Sequence, residues 1–311
     1  MDDQSTDPPE KRRQGLELGG QVDPAPPTES TIRRLPSWIR VAGTAIGAVL
    51  LVLVFNLAVF LFFFMPPAPG ALWAGAVGAL FLWWHARSGP DGTSRELARR
   101  IRLRAPRASP GWLAGITLST VLLMLGIAQF VERATGPLDI QDSPFFQDVL
   151  TYSESLSGWL TFTFAAAVVI PIIEEFAFRG RLQGVMEEEW DQPAVAVIAA
   201  AALFALVHIG GPHPLLLIVP FFMGVLCGTA VILSRSIWAG VLLHGVWNGL
   251  MTGLSRLPDR LPAPDEVPTG LEGTGLLLAT VMIVVGGMGW LHLARTLQRD
   301  GPGGRTEMGL D

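Results

Sequence analysis

Two glutamates and an arginine interrupt a long apolar run, VIPIIEEFAFRGRLQG, which extends from residue 169 to residue 184. Near the centre of a bilayer each charge costs about 2.5 to 3.5 kcal/mol on the lenient insertion scale, so charges there need a compensating role. Glu175 and Arg179 are four residues apart, and in a helix they therefore share a face where they can pair. Glu174 lies about 100° around that helix. We predict a Glu175 held by Arg179 and a Glu174 left free to act as a base.

Two histidines and an asparagine are the other polar side chains of interest inside apolar segments. His208 follows Phe204 by four residues, and Asn248 follows His244 by four, so each pair lies on one helical face. A lone intramembrane histidine or asparagine is often only a hydrogen bond between helices, and Asn56 in the first apolar segment is interpreted in that way, as a packing contact. Taken together with the two glutamates, His208, His244 and Asn248 predict one polar site.

A carboxylate, two imidazoles and an amide in a dry cavity suit hydrolysis by an activated water molecule. Burial disfavours the charged form of a carboxylate and strengthens it as a base, so we assign Glu174 as the general base. His208 would orient the water or share its proton. His244 and Asn248 would donate hydrogen bonds to the oxyanion of a tetrahedral intermediate. No serine or cysteine is placed among these residues as a nucleophile.

The same side chains allow a second, metal-assisted version of the chemistry. His208, His244 and Glu175 would form a two-histidine, one-carboxylate site for a divalent metal such as Zn²⁺, with one position open for water. The chain lacks the HExxH signature of zinc peptidases. Its single cysteine, Cys227, excludes an intrachain disulfide and a cysteine-based metal cluster. The residues alone leave the metal-free and metal-assisted versions open.

The elements that must position this site are membrane helices. Half of the 311 residues are hydrophobic and only 16% are charged, with a mean hydropathy of +0.43, which is typical of a membrane protein. Runs long enough for a helix to cross about 30 Å of hydrocarbon recur along the chain. We predict an all-α, polytopic bundle of about eight transmembrane helices, with the site on spans four, five and seven. The predicted spans are 39–65, 71–86, 111–131, 158–187, 193–210, 214–233, 237–254 and 273–293.

The distribution of basic residues predicts the orientation of the bundle. Eight spans place both termini on one side, and nineteen of the 22 lysines and arginines fall on that side. We therefore predict a multi-pass protein of the cell membrane with both termini cytoplasmic. Residues 1–36 and 298–311 are predicted to be flexible tails around a transmembrane domain of residues 37–297, with a catalytic core at about 158–254. Residues 132–157 are interpreted as an outward loop or interfacial helix.

Helix lengths decide whether the polar groups can lie at one depth. If span four continues as helix to about residue 187, Glu174 lies about 20 Å from its cytoplasmic end. By the same rise, His208 lies about 22 Å from residue 193 and His244 about 14 Å from residue 235. A span that stopped at Gly180 would leave Glu174 much nearer the cytoplasm. The site therefore requires a helix that continues past Gly180.

Three short segments resemble motifs of one known family. EEFAFRG at 174–180, FALVH at 204–208 and HGVWN at 244–248 are similar to the EExxxR, FxxxH and HxxxN motifs of the CPBP family, which comprises CAAX proteases and bacteriocin-processing or self-immunity proteins. The motifs occur in the family's order. The resemblance implies an intramembrane endopeptidase, and eukaryotic members similar to it remove the tripeptide of prenylated CAAX proteins. The implied site residues are Glu174, Glu175, Arg179, His208, His244 and Asn248.

Two other classes of protein remain open from the sequence. One is a non-enzymatic immunity factor or scaffold that keeps the polar cluster for packing. The other is a proton-coupled transporter, which also uses buried carboxylates and histidines. The transporter is less favoured because the polar groups form one compact set and no repeat relates the two halves. We expect a peptide or membrane-protein substrate and the lipid bilayer as partners, and no nucleic acid.

Overall fold

The computed structural model describes residues 36–87, 102–103, 105–135, 144–209, 214–254 and 272–300. All regular secondary structure in these residues is helical, which confirms the predicted all-α fold. The described part contains nine helices: α1 Ser37–Phe60, α2 Pro67–Arg87, α3 Pro110–Thr135, α4 Pro144–Ser153, α5 Leu156–Trp190, α6 Pro193–Leu206, α7 Ile218–Ser234, α8 Ile237–Leu254 and α9 Glu272–Asp300. Short 3₁₀ turns extend α1 over Leu61–Phe64 and precede α7 over Pro214–Leu217.

Each of the eight predicted spans coincides with a helix, and α4 is an additional helix inside the predicted loop 132–157. Five segments within the described residues are long and apolar enough to cross a membrane, and they are Ser37–Phe64, Pro110–Thr135, Leu156–Trp190, Pro214–Ser234 and Gly275–Gln298. Two shorter apolar helices are Pro67–Trp83 and Pro193–Leu206. A polytopic membrane protein fits this pattern. The number of crossings and the side on which the termini lie stay predictions.

The predicted tails fall largely outside the described residues. Residues 1–35 and 301–311 are not among them. The helix α9 continues to Asp300, three residues into the predicted C-terminal tail, because a helix does not need to end where an apolar run ends. The division into two tails and a transmembrane domain stays a prediction.

Proline and left-handed residues mark the helix ends. The helices α2, α3 and α6 each begin at a proline, whose missing N–H is not needed in the first turn. Ser155 caps α5 by accepting a hydrogen bond from the Gly158 N–H at 3.0 Å. Asp191 and Arg235 have φ of 50° and 53° and end α5 and α7 in the left-handed conformation. These signals separate helices that would otherwise form continuous apolar runs.

The helix α5 lies at the centre of the packing. It contacts α1, α2, α6, α7 and α8. The helix α3 packs along α9 and also contacts α7 and α8. One hydrophobic core joins α1, α2, α5 and α6, and a second joins α3, α7, α8 and α9. The polar side chains of α5 are therefore surrounded by helices that can supply partners to them.

Candidate active site

The charges of the EExxxR segment are buried inside the protein. Glu175 and Arg179 are 0% and 1% exposed, and Glu174 is 4% exposed. Arg179 Nη1 lies 2.9 Å from Glu175 Oε1, which confirms the pair predicted from their spacing. The guanidinium carbon of Arg179 also lies 4.3 Å from the centroid of the Phe204 ring, a cation–π contact with α6. The expected continuation of α5 past Gly180 is confirmed, since the helix extends to Trp190.

His244 of α8 links the two glutamates. Its Nδ1 lies 3.0 Å from Glu175 Oε1, and its Nε2 lies 3.8 Å from Glu174 Oε2. A carboxylate that pairs with arginine is an acceptor only, so we assign the hydrogen of the neutral imidazole to Nδ1 and an acceptor lone pair to Nε2. Separated by 3.8 Å, Nε2 and Oε2 are too distant for a direct hydrogen bond, but one water at about 2.8 Å from each can bridge them. A role of this pair in activating water stays a prediction.

Asn56 of α1 is a partner of Glu174 that the sequence reasoning missed. Its Nδ2 donates a hydrogen bond of 2.7 Å to Glu174 Oε1. This bond between α1 and α5 agrees with the interpretation of Asn56 as a hydrogen bond between helices, but its partner was not predicted. The two residues are 118 positions apart, and helical periodicity gives no distance between separate spans. The available signal was only the presence of an amide in a long apolar helix.

Asn248 of α8 donates a hydrogen bond of 2.9 Å to the backbone oxygen of Ala166. That carbonyl is available because α5 widens into a π-helical segment at Ala165–Val169, where the Ile170 N–H bonds to the Ala165 oxygen. The next residue, Pro171, has no N–H with which to continue the pattern to Ala166. An amide carries two N–H groups, so this bond leaves one for other use. The oxyanion role of Asn248 stays a prediction.

His208 lies at the edge of the cluster rather than within a helix. The helix α6 ends at Leu206, so the predicted continuation of span five to residue 210 is wrong over its last turn. His208 follows in a turn, and its side chain is exposed at the protein surface. Its Nδ1 lies 2.8 Å from the backbone oxygen of Phe204. The Phe204 ring contacts both imidazoles, with centroids 4.7 Å from His208 and 5.7 Å from His244. Phe204 therefore lies between the two histidines, whereas the sequence predicted one set of converging side chains.

The residues proposed as metal ligands do not form a metal site in this arrangement. Within the described parts of the chain, no group of three or more His, Cys, Asp or Glu side chains could hold a metal ion. His244 Nδ1 is directed to Glu175, and His208 Nδ1 is directed to the Phe204 carbonyl. The set of His208, His244 and Glu175 thus does not fit a divalent metal in this arrangement, so the proposed reaction contains no metal-dependent step.

A family model matches the part of the chain that contains this site. Residues 156–250 match the family model described as type II CAAX prenyl endopeptidase Rce1-like. The matched range begins at the start of α5, ends within α8 and contains all six residues predicted for the site. Comparisons with curated proteins and with solved structures gave no match. Residues 156–250 of the chain are therefore similar to the Rce1-like type II CAAX prenyl endopeptidases, which is consistent with the CPBP resemblance of the motifs they contain.

Proposed function

We propose that the protein is an intramembrane endopeptidase that hydrolyses peptide bonds of peptide or membrane-associated protein substrates. The observation that carries this proposal is the buried pair of Glu174 Oε2 and His244 Nε2, 3.8 Å apart. Glu174 Oε2 has no hydrogen-bond partner among the described residues. A buried carboxylate oxygen without a donor is costly to a fold, and a site for substrate water is a reason to keep it. The match of residues 156–250 to a peptidase family supports the same reaction.

The proposed reaction begins with a water bound between Glu174 and His244. Glu174 Oε2 takes one proton from the water while the water oxygen forms a bond to the carbonyl carbon of the substrate. The electron pair of the C=O bond moves to the carbonyl oxygen. The tetrahedral intermediate then collapses, the C–N bond breaks, and the proton from Glu174 passes to the leaving nitrogen. The products are a carboxylic acid and an amine, so all atoms of the water are accounted for.

The remaining residues hold this geometry. Arg179 fixes Glu175, and Glu175 holds the Nδ1 side of His244, so that Nε2 faces the water. Such an orienting carboxylate sets the tautomer and ring position of a histidine in many hydrolytic sites. Glu175 and Arg179 thus act through His244, and their burial makes the arrangement rigid.

Stabilisation of the oxyanion and handling of the leaving group are assigned to Asn248 and His208. The amide hydrogen of Asn248 that is not bonded to Ala166 is the proposed donor to the oxyanion. His208 is exposed beside the ring of Phe204, and we propose that it shares the proton delivered to the leaving nitrogen. Its position in a turn allows the imidazole to reach a substrate that enters from the α6 side.

The substrates proposed are peptides that reach the site from the bilayer. CAAX-type peptides, with and without a prenyl group, are the first to be tested because the matched family is named for them. The protein is proposed to act in the cell membrane as a multi-pass enzyme with cytoplasmic termini. We also propose that it needs no cofactor, and the metal-assisted version remains to be tested by metal content.

The test is cleavage by the purified protein in detergent or nanodiscs. Wild type and Glu174→Gln are incubated with prenylated and unprenylated CAAX peptides and with a diverse peptide library, and metal content is measured on both. We expect cleavage by wild type and a loss of at least about 10³-fold in Glu174→Gln, because the variant cannot accept the proton. Equal cleavage by two folded samples, or none by either, contradicts the proposal. A stoichiometric metal whose removal abolishes cleavage would restore the metal-assisted version.

A further inference from the structure

Asn56 lies in α1, outside the residues that match the peptidase family. It is the sixteenth residue after Arg40 and is followed within α1 by apolar residues only. An amide deep in a membrane helix is costly unless it is hydrogen-bonded. Its partner is the carboxylate proposed as the general base, at 2.7 Å. A residue that contacts this carboxylate is in a position to affect how it takes a proton.

The orientation of the Asn56 amide is set by Glu174. An ionised carboxylate only accepts hydrogen bonds, so the amide must present Nδ2 and not Oδ1 to it. In this orientation Asn56 Oδ1 is buried and has no hydrogen-bond partner among the described residues. Asn56 leaves one of its polar atoms unsatisfied and keeps the bond to Glu174.

The two oxygens of Glu174 have different surroundings. Oε1 accepts from Asn56 Nδ2, whereas Oε2 has no partner among the described residues and faces His244 Nε2. A donor on Oε1 fixes the rotation of the carboxyl group and directs the free oxygen towards the imidazole. The contact therefore prepares the position of Glu174.

We propose that Asn56 is a positioning residue for the general base Glu174. This inference rests on the proposed peptidase function and adds a residue of α1 to a site otherwise built from α5, α6 and α8. It does not require that Asn56 touch the substrate. The proposal predicts that loss of the Nδ2 donor changes how turnover depends on pH, which loss of a helix packing contact would not do.

The pH dependence arises from the groups around Glu174. They are Asn56 on α1, His244 on α8, and the neighbouring Glu175 and Arg179 on α5. Replacing Asn56 by alanine leaves the three charged or titratable neighbours in place and removes only the donor. The acidic limb of the pH–rate profile should then move to higher pH, because the charged carboxylate has lost a stabilising hydrogen bond.

The experiment measures kcat, KM and the pH–rate profile for wild type, Asn56→Ala and Asn56→Asp. For Asn56→Ala we expect kcat to fall about 10- to 100-fold with KM little changed. We expect the acidic limb to move up by about one pH unit or more. Asn56→Asp has nearly the same shape but places a second carboxyl group beside Glu174. It should move the limb further in the same direction.

Thr44→Ala is the matched control on α1. Thr44 is also half-buried, lies about 18 Å from Asn56 along the helix, and bonds to the Arg40 backbone oxygen of its own helix. Its loss should leave kcat and the pH–rate profile unchanged. A control that shifted the limb as Asn56→Ala does would show that any change in α1 has this effect and would overturn the proposal.

The outcomes separate this inference from the proposed function. If wild type cleaves, Glu174→Gln does not, and Asn56→Ala keeps both turnover and pH profile, only the role of Asn56 is overturned. A fall in turnover and thermal stability with an unmoved acidic limb would make Asn56 a packing residue. Failure of both Asn56 variants to fold would do the same. If wild type and Glu174→Gln behave alike, the proposed function and the role of Asn56 are rejected together.

Discussion

Gly240 of α8 packs directly against the carboxylate of Glu175, and replacing it by alanine tests the confinement of that side chain. A Cβ added at Gly240 would lie 2.6 Å from Glu175 Oε2 and 3.0 Å from Val231 Cγ2. Carbon and oxygen do not approach to 2.6 Å without displacement. The carboxylate has little room to turn, because Oε1 is already within 3.0 Å of both Arg179 and His244. We predict that Gly240→Ala destabilises the protein and lowers turnover.

The expected magnitude follows from what the added methyl displaces. Overpacking alone costs about 1 to 3 kcal/mol. Breaking a buried ion pair costs about 3 to 5 kcal/mol, because a charge is left without its partner. Alanine offsets up to about 1 kcal/mol of either cost, since it is a better helix former than glycine. If Glu175 is displaced from Arg179, the net loss in free energy of unfolding is about 2 to 4 kcal/mol.

The assay is unfolding in mixed micelles by added SDS, followed by the fluorescence of the ten tryptophans. Gly253→Ala is the control, because it lies on the same helix and its Cβ would have no atom within 4 Å. It should be neutral or stabilise by up to about 1 kcal/mol.

The comparison between the two glycine variants decides the result. If Gly240→Ala and Gly253→Ala differ by less than about 0.5 kcal/mol and turn over peptide equally, Glu175 is not confined as described. That result would remove the argument that a rigid Glu175 orients His244.

Two further predictions concern side-chain contacts made by α5, one through Arg179 and one to Asn248 of α8. Arg179→Ala should lower the expression yield in the membrane, the turnover, and the free energy of unfolding by about 3 to 5 kcal/mol. The reason is that Glu175 is left buried without a countercharge and Phe204 loses its cation–π contact. Normal yield and stability would mean that the pair is not structural. Asn248→Ala should lower turnover and cost only about 0.6 kcal/mol, as is usual for one hydrogen bond between membrane helices. A loss above about 2 kcal/mol by the same SDS titration would reassign Asn248 to packing against Ala166.

Local features of this protein could be predicted because they depend on neighbours along the chain. Hydropathy predicts eight of the nine helices described, all except α4, since an apolar run in lipid must satisfy its backbone hydrogen bonds within itself. The spacing of Glu175 and Arg179 predicts their contact because a single helix sets it. Pro171 was also visible in the sequence. Its missing N–H is the reason that the Ala166 carbonyl is free for Asn248, although the sequence reasoning did not use that signal.

Other features required the tertiary structure because they depend on how separate helices pack. The bond between Asn56 and Glu174 joins residues 118 positions apart. The helical periodicity of α1 or of α5 does not predict which residues of the two helices come into contact. The early end of α6 places His208 at the edge of the site and Phe204 between the imidazoles. The sequence by itself determined the membrane class, the eight apolar helices and the Glu175–Arg179 pair. Only the packing of α1 and α8 against α5 decided which atoms face Glu174, because contacts between helices depend on rotation and depth that local sequence does not specify.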